Sequence, residues 1–236
     1  MLLRKGLCRP ALVAALATAA ATPALAGNGL YVGATAGSSL FHEDKSDFDT
    51  AMLDAFSANG LNVISGTSTL KKSSFAFGGI IGYQFIPEIA LEASYTDLGK
   101  IRYHSNDVVV GAGLGQLNAF ADLDGKAKGP TVSIIGALPL GPQWEAYVRA
   151  GIIFSKVTLD ATASLSTGSP SGTGAGASSE SANSVDPLAG VGFAWKPYKQ
   201  LKIRAEYTRY SNVGDKDKTG EINIDTFNVG VTYAFQ

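Results

Sequence analysis

Apolar and polar residues alternate along the last part of the chain, Leu201–Gln236. In its second half every second residue is large and apolar, and the residues between are small or polar. The apolar set is Phe227, Val229, Val231, Tyr233 and Phe235. In its first half Lys202, Arg204 and Glu206 share one parity, and mostly apolar residues share the other. A period of two predicts two strands, and the turn-rich Ser211–Glu221 between them predicts a hairpin.

Six earlier segments show the same alternation. They are Gly29–Gly37, Ser74–Phe85, Ile89–Leu98, Thr131–Leu138, Gln143–Ser155 and Pro187–Trp195. Each is about ten residues long, the length that a tilted strand needs to cross a bilayer. Together with the terminal hairpin, these segments predict eight strands.

The connections between the predicted strands alternate in length. Those after the second, fourth and sixth strands have a few residues, whereas Ser38–Lys72, Gly99–Gly129 and Lys156–Asp186 have about thirty each, far above the usual loop length. Long loops at one end and short turns at the other are typical of outer-membrane barrels. We therefore predict an all-β fold, an eight-stranded antiparallel up-and-down transmembrane β-barrel with short periplasmic turns and long extracellular loops.

Two stretches of the long connections have a pattern of their own. Ser46–Gly60 carries Phe48, Met52 and Phe56 at helical spacing, with a serine cap and a glycine stop, which predicts a short helix over the barrel mouth. Ser166–Ser184 is mostly Ser, Gly, Thr and Ala. Such a composition buries too little apolar surface to order itself, so we expect this stretch to be mobile.

The N-terminus has the three parts of a secretory signal peptide. Arg4, Lys5 and Arg9 precede an apolar run, and Thr22–Ala26 ends in small residues. We predict a signal peptide over residues 1–26, cleaved after Ala26, and a barrel over residues 27–236. The only cysteine of the chain would leave with the signal peptide, so no disulfide is expected. The near-neutral charge of the chain, −1, leaves no nucleic-acid footprint.

The aromatic residues argue against a soluble barrel. An exported lipocalin-like protein also has eight strands, but it would crowd the large apolar side chains inside and turn the charges outward. The aromatic residues instead fall in two bands, as in the girdles of a membrane barrel. The short-turn band is Tyr83, Phe85, Trp144, Trp195, Tyr233 and Phe235. The long-loop band is Phe75, Phe77, Tyr95, Phe154 and Phe227.

Several motifs resemble the transmembrane domain of the OmpA-like family. They are Arg204–Tyr207 followed by Asn212–Asp215, Gly82–Phe85, and Ala90–Gly99. The resemblance implies a Gram-negative cell outer membrane, with the lipid bilayer and lipopolysaccharide as partners. It also implies a stand-alone transmembrane domain, because the periplasmic peptidoglycan-binding domain of many members would have to follow the last strand.

The end of the chain resembles the terminal-strand assembly signal of such barrels. Asn228, Gly230, Tyr233 and Phe235 match the signal that engages the outer-membrane assembly machinery. The chain departs from the pattern in that Gln236 follows the phenylalanine, which is usually terminal in stand-alone barrels.

Four charged residues have the parity of the lumen. They are Glu92, Arg149, Arg204 and Glu206. An eight-stranded barrel is just wide enough to be filled by its own side chains, and unpaired interior charges are costly. We predict that the four form a lumen charge cluster, as the lumen network of the family also implies. The alternative role for these charges is a gate or a proton path.

No motif predicts catalysis, a cofactor or a metal site. His42 and His104 lie in different loops without a Ser-Asp constellation and are expected to be solvated. Asp122–Asp124 and Asp215–Asp217 lack the further oxygen ligands of a calcium loop. Gly111–Gly115 lacks the spacing and the following helix of a dinucleotide motif. Neither an enzyme nor a nucleic-acid-binding protein is expected.

Two functions remain open from the sequence. The first is a structural or surface-interaction, adhesin-like protein whose long loops meet a host, phage or matrix ligand. The alternative is a narrow channel or carrier for small solutes. A general diffusion porin is not expected, because open aqueous pores need about sixteen strands.

Overall fold

The computed structural model describes residues 29–111, 115–166 and 173–235. The predicted signal peptide and Gln236 lie outside these ranges. The elements that the described residues form are β1 Leu30–His42, α1 Lys45–Ala58, β2 Leu61–Lys71, β3 Ser73–Ile86, β4 Ile89–Gly111, β5 Gly115–Pro139, β6 Trp144–Ser166, β7 Thr173–Trp195, β8 Leu201–Val213 and β9 Ile222–Ala234. The described residues contain no helix that is long and apolar enough to cross a membrane.

Eight of the strands close into a ring. Each pairs antiparallel with its neighbours in the order β1-β3-β4-β5-β6-β7-β8-β9. The ring closes between the first and last strands, from Tyr31 opposite Ala234 to His42 opposite Asn223. The predicted eight-stranded up-and-down barrel is therefore confirmed, and closure leaves its strands without an open edge inside the membrane.

Four neighbouring strands continue far beyond the ring. β4, β5, β6 and β7 have 23 to 25 residues, whereas β1, β3, β8 and β9 have 13 or 14. β2 adds a ninth strand by pairing with the outer half of β4. We call this extension the wall. It comprises residues 61–71, 99–111, 115–129, 156–166 and 173–186.

The wall shows that the long connections, predicted as loops, consist largely of paired strand residues. Lys100–Gly111 of β4 pairs with Gly115–Lys126 of β5, and residues 156–166 of β6 pair with 173–183 of β7. The expectation that Ser166–Ser184 is mobile is also corrected for residues 173–184, which form the outer half of β7. Residues 167–172 lie outside the described ranges. Backbone hydrogen bonds to β6 order this stretch, although its composition offers little apolar surface to bury.

The predicted helix is present and packs on the wall. α1 begins at Lys45 after Asp44, and no side chain caps its first turn, so the predicted serine cap is wrong. The helix ends before Gly60, whose φ of +71° suits glycine. Phe48 stacks on Tyr103 of β4 with ring centroids 5.4 Å apart, and Phe56 is buried with Leu61, Val109 and Leu117.

The two faces of the ring are as the alternation predicts. Large apolar side chains on the outer face are exposed, for example Phe75 at 64%, Ile134 at 61% and Val229 at 60%. Such a surface suits lipid, since a water-soluble protein rarely exposes so large an apolar patch. Aromatic pairs lie at both ends of this band, Trp144 with Trp195 at the short-turn end and Tyr207 with Phe227 toward the wall.

The interior consists of an ionic middle between two apolar layers. The upper layer, at the wall end, draws on seven of the eight ring strands. Its members are Phe41, Leu98, Ile101, Ala127, Ile153, Val157, Leu188, Tyr210, Val213 and Ile224. The lower layer, at the short-turn end, is Tyr31, Ile80, Ala90, Ile135, Tyr147 and Ala194. Hydroxyl-bearing and charged side chains fill the space between the layers.

Candidate functional site

The structure brings the four predicted lumen residues together. Arg204 of β8 reaches Glu92 of β4 across the barrel through two contacts, Nη1 to Oε1 at 2.5 Å and Nη2 to Oε2 at 3.1 Å. Its Nη2 also donates to Oε2 of Glu206 at 2.9 Å. The guanidinium therefore holds two carboxylates at once, with the two-pronged geometry that arginine favours.

Arg149 of β6 completes the lumen cluster, as we call these four residues. Its Nη1 lies 2.9 Å from Oε1 of Glu206, and its Nη2 lies 3.8 Å from Oε2 of Glu92. Its Nε donates to the hydroxyl of Ser133 at 2.9 Å. All four charged side chains are nearly inaccessible to solvent. Two positive and two negative charges balance, as burial requires.

Two lumen-facing tyrosines outside the predicted group of four charges orient its carboxylates. The Tyr31 hydroxyl donates to Glu92 at 2.9 Å, and the Tyr147 hydroxyl donates to Glu206 at 3.0 Å. Each ring lies over a glycine on the next strand, Gly82 beside Tyr31 and Gly192 beside Tyr147. A Cβ at either glycine would come within 2.2 to 2.3 Å of the ring. The missing side chains thus make room for the two rings.

The space around the lumen cluster is closed. The cavity beneath it, between Tyr31, Glu92 and Arg204, has a volume of about 20 Å³, which is room for about one water molecule. The upper apolar layer covers the cluster on the other side. The arrangement can hold the strands in register, and the cavity beside it is too small for a solute larger than water.

A second ionic group lies at the short-turn mouth of the lumen. Glu145 of β6 contacts Lys196 at 2.5 Å and Lys202 at 2.6 Å. Glu145 shares the parity of Arg149, and Lys202 shares that of Arg204, so the alternation places both on the lumen face. Parity did not predict that Glu145 and Lys202 meet, because it gives the face of a residue but not its height along the barrel axis.

The four residues of the predicted assembly signal do not form one site. Asn228 lies on the lumen face and is buried. At Gly230 a Cβ would come within 3.0 Å of the Ala34 carbonyl oxygen and 3.3 Å of the Arg204 side chain. Tyr233 and Phe235 face outward, with their rings in an edge-on pair 5.5 Å apart. Their assembly role stays a prediction.

The remaining sequence candidates have structural partners. His42 Nε2 lies 2.6 Å from Asp225 Oδ2, and His104 Nδ1 lies 2.7 Å from Asp122 Oδ1. We predicted that both histidines are solvated and did not predict their aspartate partners. Asp215 accepts the backbone N–H of Asp217 and thereby shapes its turn. Among the described residues, no three His, Cys, Asp or Glu side chains converge on a metal-sized site.

A polar node fastens α1 to the wall. Asp49 of the helix accepts hydrogen bonds from the Ser68 hydroxyl at 2.6 Å and the Tyr103 hydroxyl at 2.8 Å, and it pairs with Lys45 at 2.9 Å. The hydrogen bond from Ser68, followed by that from Lys45, lowers the pKa of Asp49 to about 2. Burial and the bond to Asp49 raise the pKa of Tyr103 to about 12. The helix is thus an anchored part of the wall.

A closed eight-stranded ring with a lipid-facing apolar band and an ionic lumen now has a match among known proteins. The sequence profile of the OmpA-like transmembrane domain matches residues 25–236. The chain belongs to this family. The protein is therefore an OmpA-like outer-membrane β-barrel of the Gram-negative type, and the wall extends from the extracellular end of the barrel.

Individual relatives are more distant. Outer membrane protein A of Serratia marcescens is 27% identical over 213 residues, which are 88% of this chain and 50% of that protein. The chain thus spans about half the length of this curated relative. Neisserial surface protein A is 15% identical, with a TM-score of 0.41 over 88% of this chain and 98% of its own. Ail of Yersinia pestis is 14% identical, with a TM-score of 0.39 over 87% of this chain and 98% of its own.

Proposed function

We propose that the protein is a non-enzymatic surface-interaction barrel, in which a closed lumen serves as the membrane anchor and the wall meets a partner outside the cell. The observation that carries the proposal is the asymmetry of the strands. Four neighbouring strands run about ten residues beyond the other four, which corresponds to about 30 Å along each strand. The long strands extend beyond the membrane band and increase the surface available to a partner.

The free edge of the wall is its best-suited contact surface. Beyond Leu188, β7 pairs with β6 alone, and residues 174–181 are exposed on both faces. Natural edge strands are usually blunted by lysine, proline or a bulge, but this one consists of Gly, Ala and Ser with a single Glu180. An extended peptide of a partner could add to it as a further strand through backbone hydrogen bonds.

The alternative role as a narrow channel or carrier requires the interior to rearrange. The lumen cluster leaves a cavity of about 20 Å³, and the upper apolar layer lies across the exit toward the wall. A pocket of about 190 Å³ at the mouth, between α1, the wall and the β8–β9 turn, ends on residues of this layer such as Ile101 and Val157. The static structure therefore favours the surface role.

Adhesion of intact bacteria tests the proposal. Cells displaying the wild-type barrel are compared with cells displaying a variant that lacks 163–176 and carries a tight turn instead. Because Ala163 lies opposite Gly176, the deletion shortens both strands of the hairpin equally. We expect wild-type cells to bind cultured host cells or immobilised matrix proteins, and the shortened variant to lose this binding while it remains heat-modifiable on unboiled gels.

A pair of proline substitutions isolates the edge itself. Backbone N–H groups of a strand point alternately to its two neighbours, so Ala177→Pro and Ser178→Pro remove one N–H toward β6 and one toward the open edge. The variant that lacks the N–H toward the open edge keeps its hydrogen bonds to β6, so its hairpin should remain resistant to protease. This variant should nevertheless lose adhesion. Adhesion that survives the hairpin deletion would contradict the surface role of the wall.

A further inference from the structure

Four lysines lie on the outer face of the wall, next to the lipid-facing band. Tyr95, Pro130 and Phe154 are the last lipid-facing positions of β4, β5 and β6 before the wall. The next outward position is Lys128 on β5 and Lys156 on β6. Lys126 of β5 and Lys100 of β4 lie one outward position farther. We call these four residues the lysine recess.

The register sets these lysines against one another. Lys100 lies directly opposite Lys126, and Lys128 lies directly opposite Lys156. Like charges in directly opposite positions destabilise a sheet. With Asp97, Gly99 and Thr158, the four lysines line a depression of about 410 Å³ that opens outward. The four side chains therefore concentrate positive charge at one place beside the lipid-facing band.

The neighbouring carboxylates form ion pairs with only the upper two lysines of the recess. Lys100 pairs with Asp124 and Lys126 with Asp160, each at 2.9 Å, and both aspartates lie one row farther from the membrane. Asp97 lies opposite Lys128 and also accepts the N–H of Gly99 at 2.8 Å, so its carboxylate offsets part of the positive charge at Lys128 without forming an ion pair. Within the described parts of the chain, Lys128 and Lys156 form no ion pair.

We propose that the lysine recess binds a phosphate group of an outer-leaflet lipopolysaccharide molecule. Lysine is a common phosphate ligand, and its hydrogen bonds to phosphate oxygens are strengthened by charge. A phosphate between Lys128 and Lys156 would remove their repulsion. The recess borders the apolar band, so a lipid whose head group lies there can place its acyl chains against Ile134 and Ile152 below. A soluble polyanion has no acyl chains with which to use the adjoining apolar band.

The test compares two double variants that remove the same charge. Lys128→Gln with Lys156→Gln alters the recess, and Lys216→Gln with Lys218→Gln alters the exposed β8–β9 turn. The full barrel, purified in a zwitterionic detergent, is titrated with bisphosphorylated lipid A, with the same lipid after phosphate removal, with inorganic phosphate and with heparin. The readouts are the Kd for each probe and the unfolding midpoint without any probe.

We expect the recess variant to bind bisphosphorylated lipid A about tenfold or more weakly than wild type, since charge-assisted hydrogen bonds are lost. The turn variant should bind as wild type does. Without a probe, the recess variant should be as stable as wild type or more stable, because a repulsive pair is gone.

Several results would overturn the proposal. Equal weakening in both variants would show that general charge governs binding, and equal affinity for the dephosphorylated lipid would show that acyl packing does. Recess-dependent binding of inorganic phosphate or heparin at the affinity of lipid A would assign the recess to a soluble anion. The inference rests on the outer-membrane location alone, so none of these results bears on the closed lumen or on adhesion by the wall.

Discussion

Removing one charge from the lumen cluster should cost far more than removing a matched pair. Arg204→Met leaves Glu92 with the Tyr31 hydroxyl at 2.9 Å and with Arg149 at 3.8 Å, so the closed lumen carries an excess negative charge. Breaking a buried ion pair in this way costs about 3–5 kcal/mol. Glu92→Gln leaves an excess positive charge and should cost about the same.

The double variant Glu92→Gln with Arg204→Met restores balance. Arg149 and Glu206 remain as a neutral pair at 2.9 Å. Replacing a whole buried pair by neutral side chains of similar size is often neutral or stabilising. We therefore expect the double variant to cost less than either single variant, which corresponds to a coupling energy of at least about 3 kcal/mol.

Urea-induced unfolding in phospholipid vesicles measures these free energies. Fluorescence of Trp144 and Trp195, which stack at the short-turn end away from the substitutions, reports the transition. The matched control is Lys216→Met with Glu221→Gln in the exposed β8–β9 turn, where effects should be small and additive. Single and double costs that add within about 0.5 kcal/mol would refute the lumen ion network as the cause.

Three further predictions address the lipid face, the glycine contacts and the helix anchor. Ile134→Arg at mid-height on the lipid face should cost about 2–4 kcal/mol of insertion stability in the same vesicle assay, whereas Leu140→Arg in the short turn should cost about 0–1 kcal/mol; equal costs would mean that the faces are wrongly assigned. Gly82→Ala should cost about 1–3 kcal/mol because its Cβ would overlap a tyrosine ring, and Gly79→Ala on the same strand, where a Cβ meets no atom within 4 Å, should cost clearly less. The folded pKa of Asp49 is lowered to about 2. The contribution of Asp49 to docking of α1 should therefore be complete above its unfolded pKa of about 3.9 and lost as the pH falls toward 2. Limited proteolysis of α1 between pH 5 and 2 should show this loss, and Asp49→Asn should remove the pH dependence.

The membrane part of the fold could be predicted from the sequence because each face meets a different solvent. Lipid demands apolar side chains at every second position, so Ile134 and Val191 mark the outer face and Arg149 and Arg204 the inner face without any knowledge of their partners. The charges also restrict one another, since a lumen that encloses them must pair them.

The wall could not be predicted in the same way. Outside the membrane both faces of a strand tolerate small and polar residues, so residues 173–184 carry no apolar stripe and read as a loop. In the outer part of β4, alternation is present, since Ile101 and Tyr103 are buried and Arg102 and His104 are exposed, but its extent depends on pairing with β5.

Contacts between distant strands also escape parity. Parity places Glu145 and Lys202 on the lumen face, but it does not give the stagger between strands, which decides the heights of residues in a barrel. The lysine recess could not be predicted for the same reason, because Lys128 and Lys156 become neighbours only through the β5–β6 register.

Conductance of the purified wild-type barrel in planar bilayers tests the closed lumen most directly. The ionic cluster, the cavity of about 20 Å³ and the upper apolar layer predict no resting conductance steps, whereas a sixteen-stranded porin recorded in the same bilayer should conduct steadily. A steady wild-type conductance that persists after deletion of 163–176 would contradict the closed anchor and favour the channel.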